Sequence, residues 1–317
     1  MTVLVIDTSY LIYRSYFAYK NLSTGGFPTG AFFGFTKTIL SLIEEYNPQE
    51  IIFANDTSKP TWRHEILSTY KADRPQIEDG MVKQIPIIKD WTKKISKNFF
   101  STEGFEADDF ICTVCTNLLQ KHKDTVDKIV IFSSDRDLYQ LLVFPEVFFV
   151  QVKSMRDGMQ LFGREDFKIK YELEPEQWLD YKTLVGDPSD NLKGVPGIGP
   201  KTATKILQKI GCLYNLFSLL DMDSTSFRNL GFGFENAQLF MNDVNNKVIC
   251  EKIAQQYELL KQTYFLATLQ NIPGTDISFS GFDLSLGIED FQKFNFKSLV
   301  TIANKRIVSE NQPETLF

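Results

Sequence analysis

The feature that most constrains the fold of this chain is a set of three short apolar runs, each followed within three residues by an aspartate. The runs are Val3–Ile6, Ile51–Ala54 and Ile129–Phe132, and stretches with a helical pattern separate them. Short runs that are apolar at every position are typical of strands buried on both faces of a parallel sheet. Their alternation with helices predicts an α/β fold with a central, mostly parallel sheet and helices on both faces.

Further elements follow from the same patterns. A fourth strand is expected at Val147–Val152, with a hairpin back through Gly158–Phe162. Beyond about residue 174 the pattern becomes mostly helical. A length of 317 residues allows one large α/β domain with a smaller appendage. The helical patterns of the first half cover Gly30–Tyr46, Val82–Ile95 and Ala107–His122.

Carboxylates are concentrated where the predicted strands end. Ligands of open parallel sheets bind beyond the carboxyl ends of the strands, so acids that follow different strands are expected to share one rim. Further acids open the helix that begins near residue 107 or stand in the loop GDPSDN. The complete set is Asp7, Asp56, Glu106, Asp108, Asp109, Asp135, Asp137, Asp187 and Asp190.

Each of these acids also has an ordinary structural interpretation, because a single aspartate after a strand is more often a helix cap or a turn residue. Their expected convergence argues for chemistry instead. Two like charges 4 Å apart repel by about 4 kcal/mol at an effective dielectric constant of 20, so a rim with this many acids needs cations. A carboxylate-lined oxygen site is typical of a two-metal phosphoryl-transfer centre.

Composition narrows the kind of metal. The chain has two histidines and four cysteines, too few for a histidine-rich zinc site or a disulfide framework. Cys112 and Cys115 form a C-x-x-C motif within a helical pattern, and we interpret them as core residues. Oxygen ligands therefore remain, which favours Mg²⁺ or Mn²⁺. The net charge of −6 argues against nucleic-acid binding unless cations neutralise many of the acids.

Five segments together resemble the 5′ nuclease (flap endonuclease) superfamily, which includes phage 5′ exonucleases and the N-terminal 5′-nuclease domain of bacterial DNA polymerase I. They lie in the family's order and spacing across about residues 1–220. The segments are VIDTSYLIYRSYFA, FANDTSKPTWRHEILSTYKADR, GFEADDFI, IFSSDRDLYQLL and LVGDPSDNLKGVPGIGPKTATKIL.

The resemblance implies that all nine acids are metal ligands, with Asp7 and Asp135 among the catalytic residues. It also implies that Lys71 and Arg74 lie at the base of an arch and touch the scissile phosphate, whereas Tyr70 stacks on a terminal base. A solvated basic helix face is the alternative for the cations around these residues. The DNA-binding residues implied for this part of the chain are Arg14, Lys59, Arg63 and Tyr70.

The glycine-rich turn between Gly194 and Ala203 resembles the helix–hairpin–helix element that binds duplex through its backbone. Glycines allow backbone conformations closed to other residues, and a helix that starts at Pro200 offers free N–H groups to phosphate. A purely structural turn is the alternative. The resemblance implies DNA contacts, and possible K⁺ binding through backbone carbonyls, at a set made up of Gly197, Gly199, Lys201 and Thr202.

The resemblance implies a PIN-like 5′-nuclease core at residues 1–175, with an arch at about 59–98. A helical region at 176–272 follows, with the helix–hairpin–helix at about 176–211, and 273–317 form a C-terminal extension whose tail is expected to be flexible from Ser309. The implied activity is 5′-3′ exonuclease and flap endonuclease cleavage of DNA and RNA–DNA by two metal ions, for primer removal in replication and repair. The resemblance thins after about residue 220, and we expect a stand-alone nuclease.

The chain ends in QPETLF, which resembles peptides that dock into sliding clamps, although so short a motif also arises by chance. The clamp contacts would be Gln312, Leu316 and Phe317. No apolar run reaches the length of a membrane helix and the N-terminus lacks a signal peptide, so a cytoplasmic protein is expected. We also expect it to be a monomer.

Two other functions would use a similar fold. A haloacid-dehalogenase-like phosphatase needs a second aspartate two residues after Asp7, and Ser9 stands there. A non-catalytic binder of branched DNA would keep the fold and the glycine-rich turn but would not need the complete acid set.

Overall fold

The computed structural model describes residues 1–154 and 158–310 and has the predicted α/β architecture. Each strand predicted from an apolar run is present, extended by one or two residues at one or both ends. The strands are β1 (Thr2–Asp7), β2 (Ser23–Thr24), β3 (Phe27–Pro28), β4 (Glu50–Ala54), β5 (Phe99–Phe100), β6 (Lys128–Phe132), β7 (Val147–Ser154), β8 (Gly158–Phe162), β9 (Gly186–Asp187) and β10 (Leu192–Lys193).

The central sheet has the strand order β5-β4-β1-β6-β7-β8. All neighbouring pairs are parallel except β7 and β8, which form the expected hairpin at one edge. In the centre, Val5 of β1 lies opposite Ile52 of β4 and Ile131 of β6. Because these three strands run in one direction and in register, the acids that follow them reach the same edge of the sheet.

The helices fall largely where the sequence patterns indicate, and α2 matches its predicted bounds. They are α1 (Thr8–Ala18), α2 (Gly30–Tyr46), α3 (Trp62–Ile66), α4 (Asp79–Val82), α5 (Ile85–Ile95), α6 (Ala107–Lys121), α7 (Arg164–Tyr171), α8 (Trp178–Val185), α9 (Pro200–Ile210), α10 (Leu213–Leu219), α11 (Phe234–Asn242), α12 (Lys247–Gln255), α13 (Tyr257–Ala267), α14 (Ile288–Lys293) and α15 (Lys297–Glu310).

Side-chain alternation along the strands creates two core layers. Val3 and Val5 point into a layer that contains α6 and continues into the helices of the C-terminal half. Leu4 and Ile6 point into a second layer that contains α1, α2 and α5. All four side chains have no exposed surface, as expected for a strand covered on both faces.

The segment predicted as an arch is only partly separate from the core. The predicted helix Val82–Ile95 is two helices, α4 and α5, with a break at Lys83 and Gln84. On α5, Ile88, Trp91 and Ile95 are buried in the second core layer. The second half of the predicted arch is therefore a packed core helix in this structure, because its apolar stripe has a partner surface.

The C-terminal extension also belongs to the core. Phe291 of α14 and Leu299 of α15 are buried against Trp91 and the rest of the second layer. The buried Glu50 carboxylate accepts hydrogen bonds from Asn98 Nδ2 (2.9 Å) and from Gly281 N (2.8 Å), which fixes the start of this extension to the sheet. Helix α15 continues to residue 310, two residues into the segment predicted as a flexible tail.

The four cysteines are free and buried, which confirms the interpretation of Cys112 and Cys115 as core residues. Burial raises the pKa of the Cys112 thiol to about 12. Within residues 1–154 and 158–310, no helix combines the length and apolar character needed to cross a bilayer.

Candidate active site

The first group of acids surrounds the carboxyl end of β1. Asp7 is 7% exposed and caps α1, with Oδ1 accepting from Tyr10 N (3.0 Å). Its Oδ2 accepts from the Ser133 hydroxyl (2.7 Å), which follows β6. Asp56, after β4, accepts from Ala107 N (2.9 Å) at the start of α6. The acids that follow β1, β4 and β6 therefore lie close enough together for the charges of Asp56 and Asp135 to act on Asp7.

Glu106 joins this group to the predicted catalytic lysine. It is 8% exposed and stands just before α6. Glu106 Oε1 accepts from Lys71 Nζ (2.8 Å), and Oε2 accepts from the Tyr70 hydroxyl (3.2 Å). Burial lowers the pKa of Lys71, but Glu106 and Asp190 outweigh it, and the pKa lies above its ordinary value. Lys71 is therefore a persistent cation and not a proton acceptor.

Asp190 completes this side of the site and is 5% exposed. Its Oδ1 accepts from an Arg74 Nη (3.0 Å), and its Oδ2 accepts from the Tyr70 hydroxyl (3.0 Å) and lies 3.8 Å from Lys71 Nζ. Arg74 keeps 53% of its side chain exposed. Both predicted phosphate-binding cations therefore stand beside the acids, and Arg74 has donors left for a ligand.

Lys182 was missed by the sequence interpretation. Its ammonium lies 2.6 Å from Asp137 Oδ1 and also pairs with Asp187, so it bridges two of the predicted ligands. Burial raises the pKa of Asp187, but Lys182 and Ser189 outweigh it and hold the pKa below its ordinary value. The available signal was a lysine on the helix just before the GDPSDN loop, five residues before the first acid of that loop.

Uncompensated repulsion remains within the cluster. Burial, followed by the charge of Asp56, raises the pKa of Asp7 to about 7. Burial, followed by the charge of Asp135, raises the pKa of Asp137 to about 7 and that of Asp108 well above its ordinary value. These carboxylates would ionise more readily beside added positive charge.

The donor set suits a hard divalent cation, because it consists of carboxylate oxygens that repel one another. In the described parts of the chain, however, no three His, Cys, Asp or Glu side chains are arranged so that they could hold a metal ion as they stand. The acids are instead turned towards Lys71, Lys182, Arg74 and the Ser133 hydroxyl. Glu106, Asp190 and the acids paired with Lys182 are therefore neutralised in this structure by basic side chains of the chain itself.

Asp109 and Arg63 differ from their predicted roles. Asp109 is fully buried and forms two hydrogen bonds with Arg63 (2.7 and 2.8 Å), and its Oδ1 also accepts from Gln270 N (2.9 Å). Arg63 is 3% exposed and donates further to the carbonyls of Leu266 (2.8 Å) and Thr268 (3.2 Å). In this arrangement Arg63 cannot reach DNA and Asp109 has little capacity left for a metal, because the two side chains are hydrogen-bonded to each other inside the core.

Tyr70 also lies elsewhere than the stacking prediction requires. The residue is 3% exposed, its ring meets His64 edge-on at 5.3 Å, and its hydroxyl bridges Glu106 and Asp190. A side chain that is covered in this way presents no face to a nucleobase. We therefore assign Tyr70 to the support of the acids and not to base stacking.

The remaining predicted DNA contacts of the first half are on the surface. Arg14 is exposed on α1, seven residues beyond Asp7, and one Nη lies 3.4 Å from the Tyr10 hydroxyl. Lys59 is 62% exposed and pairs with Glu103 (2.7 Å). Both cations can therefore be reached by a ligand.

The glycine-rich turn lies between α8 and α9 as predicted. Gly197 has a positive φ of 78°, and Gly199 is the N-cap of α9, where Pro200 follows as the first residue. A Cβ at Gly194 would lie 2.3 Å from the Val185 carbonyl carbon, so this position has no room for a side chain.

Cations flank the turn. Lys201 is exposed and Thr202 is half-buried at the start of α9. Lys252 of α12 also approaches, with its Nζ 3.0 Å from the place of a Cβ at Gly197. The sequence interpretation missed Lys252, since it lies about 50 residues away on a different helix. The proposed clamp contacts Gln312, Leu316 and Phe317 lie outside the described residues.

Two protein-family models together cover residues 2–286 of the chain. Residues 2–172 match the family described as 5′-3′ exonuclease, N-terminal resolvase-like domain, and residues 173–286 match the 5′-3′ exonuclease, C-terminal SAM fold. The second match extends the resemblance well beyond residue 220. A 5′-3′ exonuclease of Aquifex aeolicus is 38% identical over 216 residues, which cover 68% of this chain and 72% of that protein.

The thermostable DNA polymerase I of Thermus thermophilus is 38% identical over 220 residues. These cover 69% of this chain and 25% of the polymerase, so the chain matches about a quarter of that relative.

Solved structures show the same fold at lower identity. T5 5′-exonuclease with bound zinc has a TM-score of 0.61 at 21% identity, covering 96% of this chain and all of that one. The catalytic core of Rad2 in complex with DNA substrate has a TM-score of 0.56 at 14% identity, covering 95% and 92%. The two family matches over residues 2–286 and the relative from Aquifex aeolicus show that the chain belongs to the 5′-3′ exonuclease family.

Proposed function

We propose that this chain is a divalent-metal-dependent 5′ nuclease that hydrolyses phosphodiesters at the 5′ ends and flaps of DNA. The observation that carries the proposal is the convergence of the acids that follow β1, β4 and β6 with those at the start of α6, beside two cations, Lys71 and Arg74. An anionic phosphate needs positive charge around it, and this rim supplies two basic side chains and an oxygen set for more cations.

The proposed ligands are the acids that line the rim, and the acids paired with Lys182 join them when that lysine gives way. These acids would hold Mg²⁺ or Mn²⁺, which would supply Lewis-acid activation of water and neutralise charge on the phosphate. Asp109 is left out because Arg63 occupies its carboxylate. The proposed set is Asp7, Asp56, Glu106, Asp108, Asp135, Asp137, Asp187 and Asp190.

The chain's own cations complete the chemistry. Lys71 is held between Glu106 and Asp190 and stays protonated, so it can hydrogen-bond a phosphate oxygen as charge develops. Arg74 uses one Nη on Asp190 and offers its remaining N–H donors to a second oxygen. These contacts would orient the phosphate against the acids and stabilise it without taking up a proton.

The glycine-rich turn supports a proposed grip on duplex. The N-terminus of α9, with exposed Lys201 beside it and Lys252 close to Gly197, is suited to backbone phosphates. Contacts of this kind are insensitive to base sequence, and affinity should fall as salt rises. Exposed Arg14 and Lys59 extend the cationic surface on the core.

The finer assignments rest on the family resemblance. We propose RNA–DNA as a further substrate and primer removal in replication and repair as the role, in the cytoplasm and as a monomer. K⁺ at the turn around Gly197 and clamp binding through residues 312–317 are proposed on the same basis.

The proposal is tested with a 5′-labelled flap substrate, comparing wild type with Asp135→Asn and with the control Asp276→Asn, whose side chain is 97% exposed. Wild type and the control should release a discrete flap product with Mg²⁺. Asp135→Asn should cut at least about a hundredfold more slowly, since metal stabilisation contributes several kcal/mol. If wild type binds the flap but cuts with neither Mg²⁺ nor Mn²⁺, the chain is a structure-specific DNA binder and the proposed activity is wrong.

A further inference from the structure

Lys71 stands in an unfavourable backbone conformation. Its φ is 54°, in the left-handed region that side chains with a Cβ rarely adopt. Such strain persists only where surrounding contacts enforce it. The turn around it is closed by backbone hydrogen bonds from Ala72 N to Thr69 O (3.2 Å) and from Arg74 N to Lys71 O (3.2 Å). These hydrogen bonds lie within the turn itself. The contacts that hold the turn against the acids must therefore come from other segments of the chain.

Those contacts come from the segment after α8. Lys71 N donates to Asp190 O (3.3 Å), and Asn191 Nδ2 donates to Thr69 O (2.8 Å). Asn191 is itself left-handed, with φ 59° and ψ 28°, a conformation that asparagine tolerates better than most residues. The two left-handed residues therefore lie on facing segments. The Asn191 amide joins the two segments through its hydrogen bond to Thr69 O.

Asn191 is also the last residue before the strand that leads into the glycine-rich turn. Leu192 pairs with Asp187, and Gly194 is packed too tightly against α8 to admit a side chain. Val195 N then donates to Leu184 O (2.8 Å) at the base of the turn. The segment between Asn191 and the turn is thus held in place by contacts at Leu192, Gly194 and Val195.

We propose that Asn191 is a positioning residue that fixes Lys71 against the acid rim through its hydrogen bond to Thr69 O. It does not touch substrate, and it ties the placement of Lys71 to the segment that enters the duplex-binding turn. This inference rests on the proposed nuclease function, and it adds a residue that acts through Lys71.

The test uses Asn191→Gly, which removes the amide and keeps the left-handed backbone free of strain. Its control is Asn295→Gly, since Asn295 is also left-handed with φ 58° and lies in the turn between α14 and α15. Single-turnover flap cleavage with Mg²⁺ is measured beside flap affinity in Ca²⁺. Asn191→Gly should cut roughly ten- to a hundredfold more slowly with affinity changed less than about twofold, because small misplacements of a catalytic group cost rates of this order. The control should change neither quantity.

A second measurement shows whether Asn191 acts through Lys71. In a Lys71→Ala background, Asn191→Gly should slow cleavage no further, because its target is gone. Equal rates for Asn191→Gly and wild type would overturn the inference and leave the nuclease function intact, as would a full additional loss in the Lys71→Ala background. A wild-type protein that binds the flap but does not cut it would instead overturn the proposed function.

Discussion

Replacing Arg63 separates a structural role from a DNA-binding one. Arg63 is 3% exposed, pairs with the fully buried Asp109 and satisfies carbonyls near the end of α13. Arg63→Met would leave the Asp109 charge buried without its partner. Breaking a buried ion pair in this way costs about 3–5 kcal/mol.

The cost translates into a measurable shift in melting temperature. An unfolding entropy of about 2.1 cal/mol/K per residue, applied to 317 residues, gives roughly 0.67 kcal/mol/K, so Arg63→Met should melt about 4–8 °C below wild type. Adding Asp109→Asn should restore part of the loss, because no unpaired charge then remains. Lys59→Met is the surface control, since Lys59 is 62% exposed and should change stability by less than about 0.5 kcal/mol.

Thermal melts and flap affinity in Ca²⁺ should be measured on the same samples. The expected result is a large loss of stability for Arg63→Met and a loss of affinity without destabilisation for Lys59→Met. If Arg63→Met has the melting temperature of wild type and loses flap affinity as Lys59→Met does, Arg63 contacts DNA and the structural argument is refuted.

Three further predictions concern the turn, a buried acid and the C-terminal extension. Gly194→Ala should weaken flap affinity and lower the melting temperature, because its Cβ would collide with backbone, and binding isotherms with melts would detect both. Burial raises the pKa of Asp180 to about 7 from about 3.9 when unfolded, so the folded state binds the extra proton and stability falls as pH rises between these values. Asp180→Asn should therefore raise the free energy of unfolding at pH 8 by up to about 4 kcal/mol relative to wild type and show no such gain at pH 4. An equal gain at both pH values would contradict this. Trp91→Ala should cost about 3–5 kcal/mol in denaturant unfolding, because α2 and α14 pack on that ring, and a cost below 1 kcal/mol would show that the extension is not part of the core.

The sequence by itself determined the sheet, the rim of acids and the glycine-rich turn. The apolar runs of β1, β4 and β6 specify strands buried on both faces, and parallel strands in register must deliver the acids that follow them to one edge. The turn before α9 is local chemistry of glycine and proline, which sequence spacing describes well. These features depend on short-range patterns and on chain direction.

Tertiary structure alone decided which charged side chains face the solvent. Arg63 and Lys59 look alike in sequence, yet Arg63 is buried because partners about 200 residues away, at Leu266 and Thr268, meet it in the fold. Lys182 becomes a bridge between two acids for the same kind of reason. A charge can be buried only where its partners converge from distant parts of the chain, and no local pattern records that convergence.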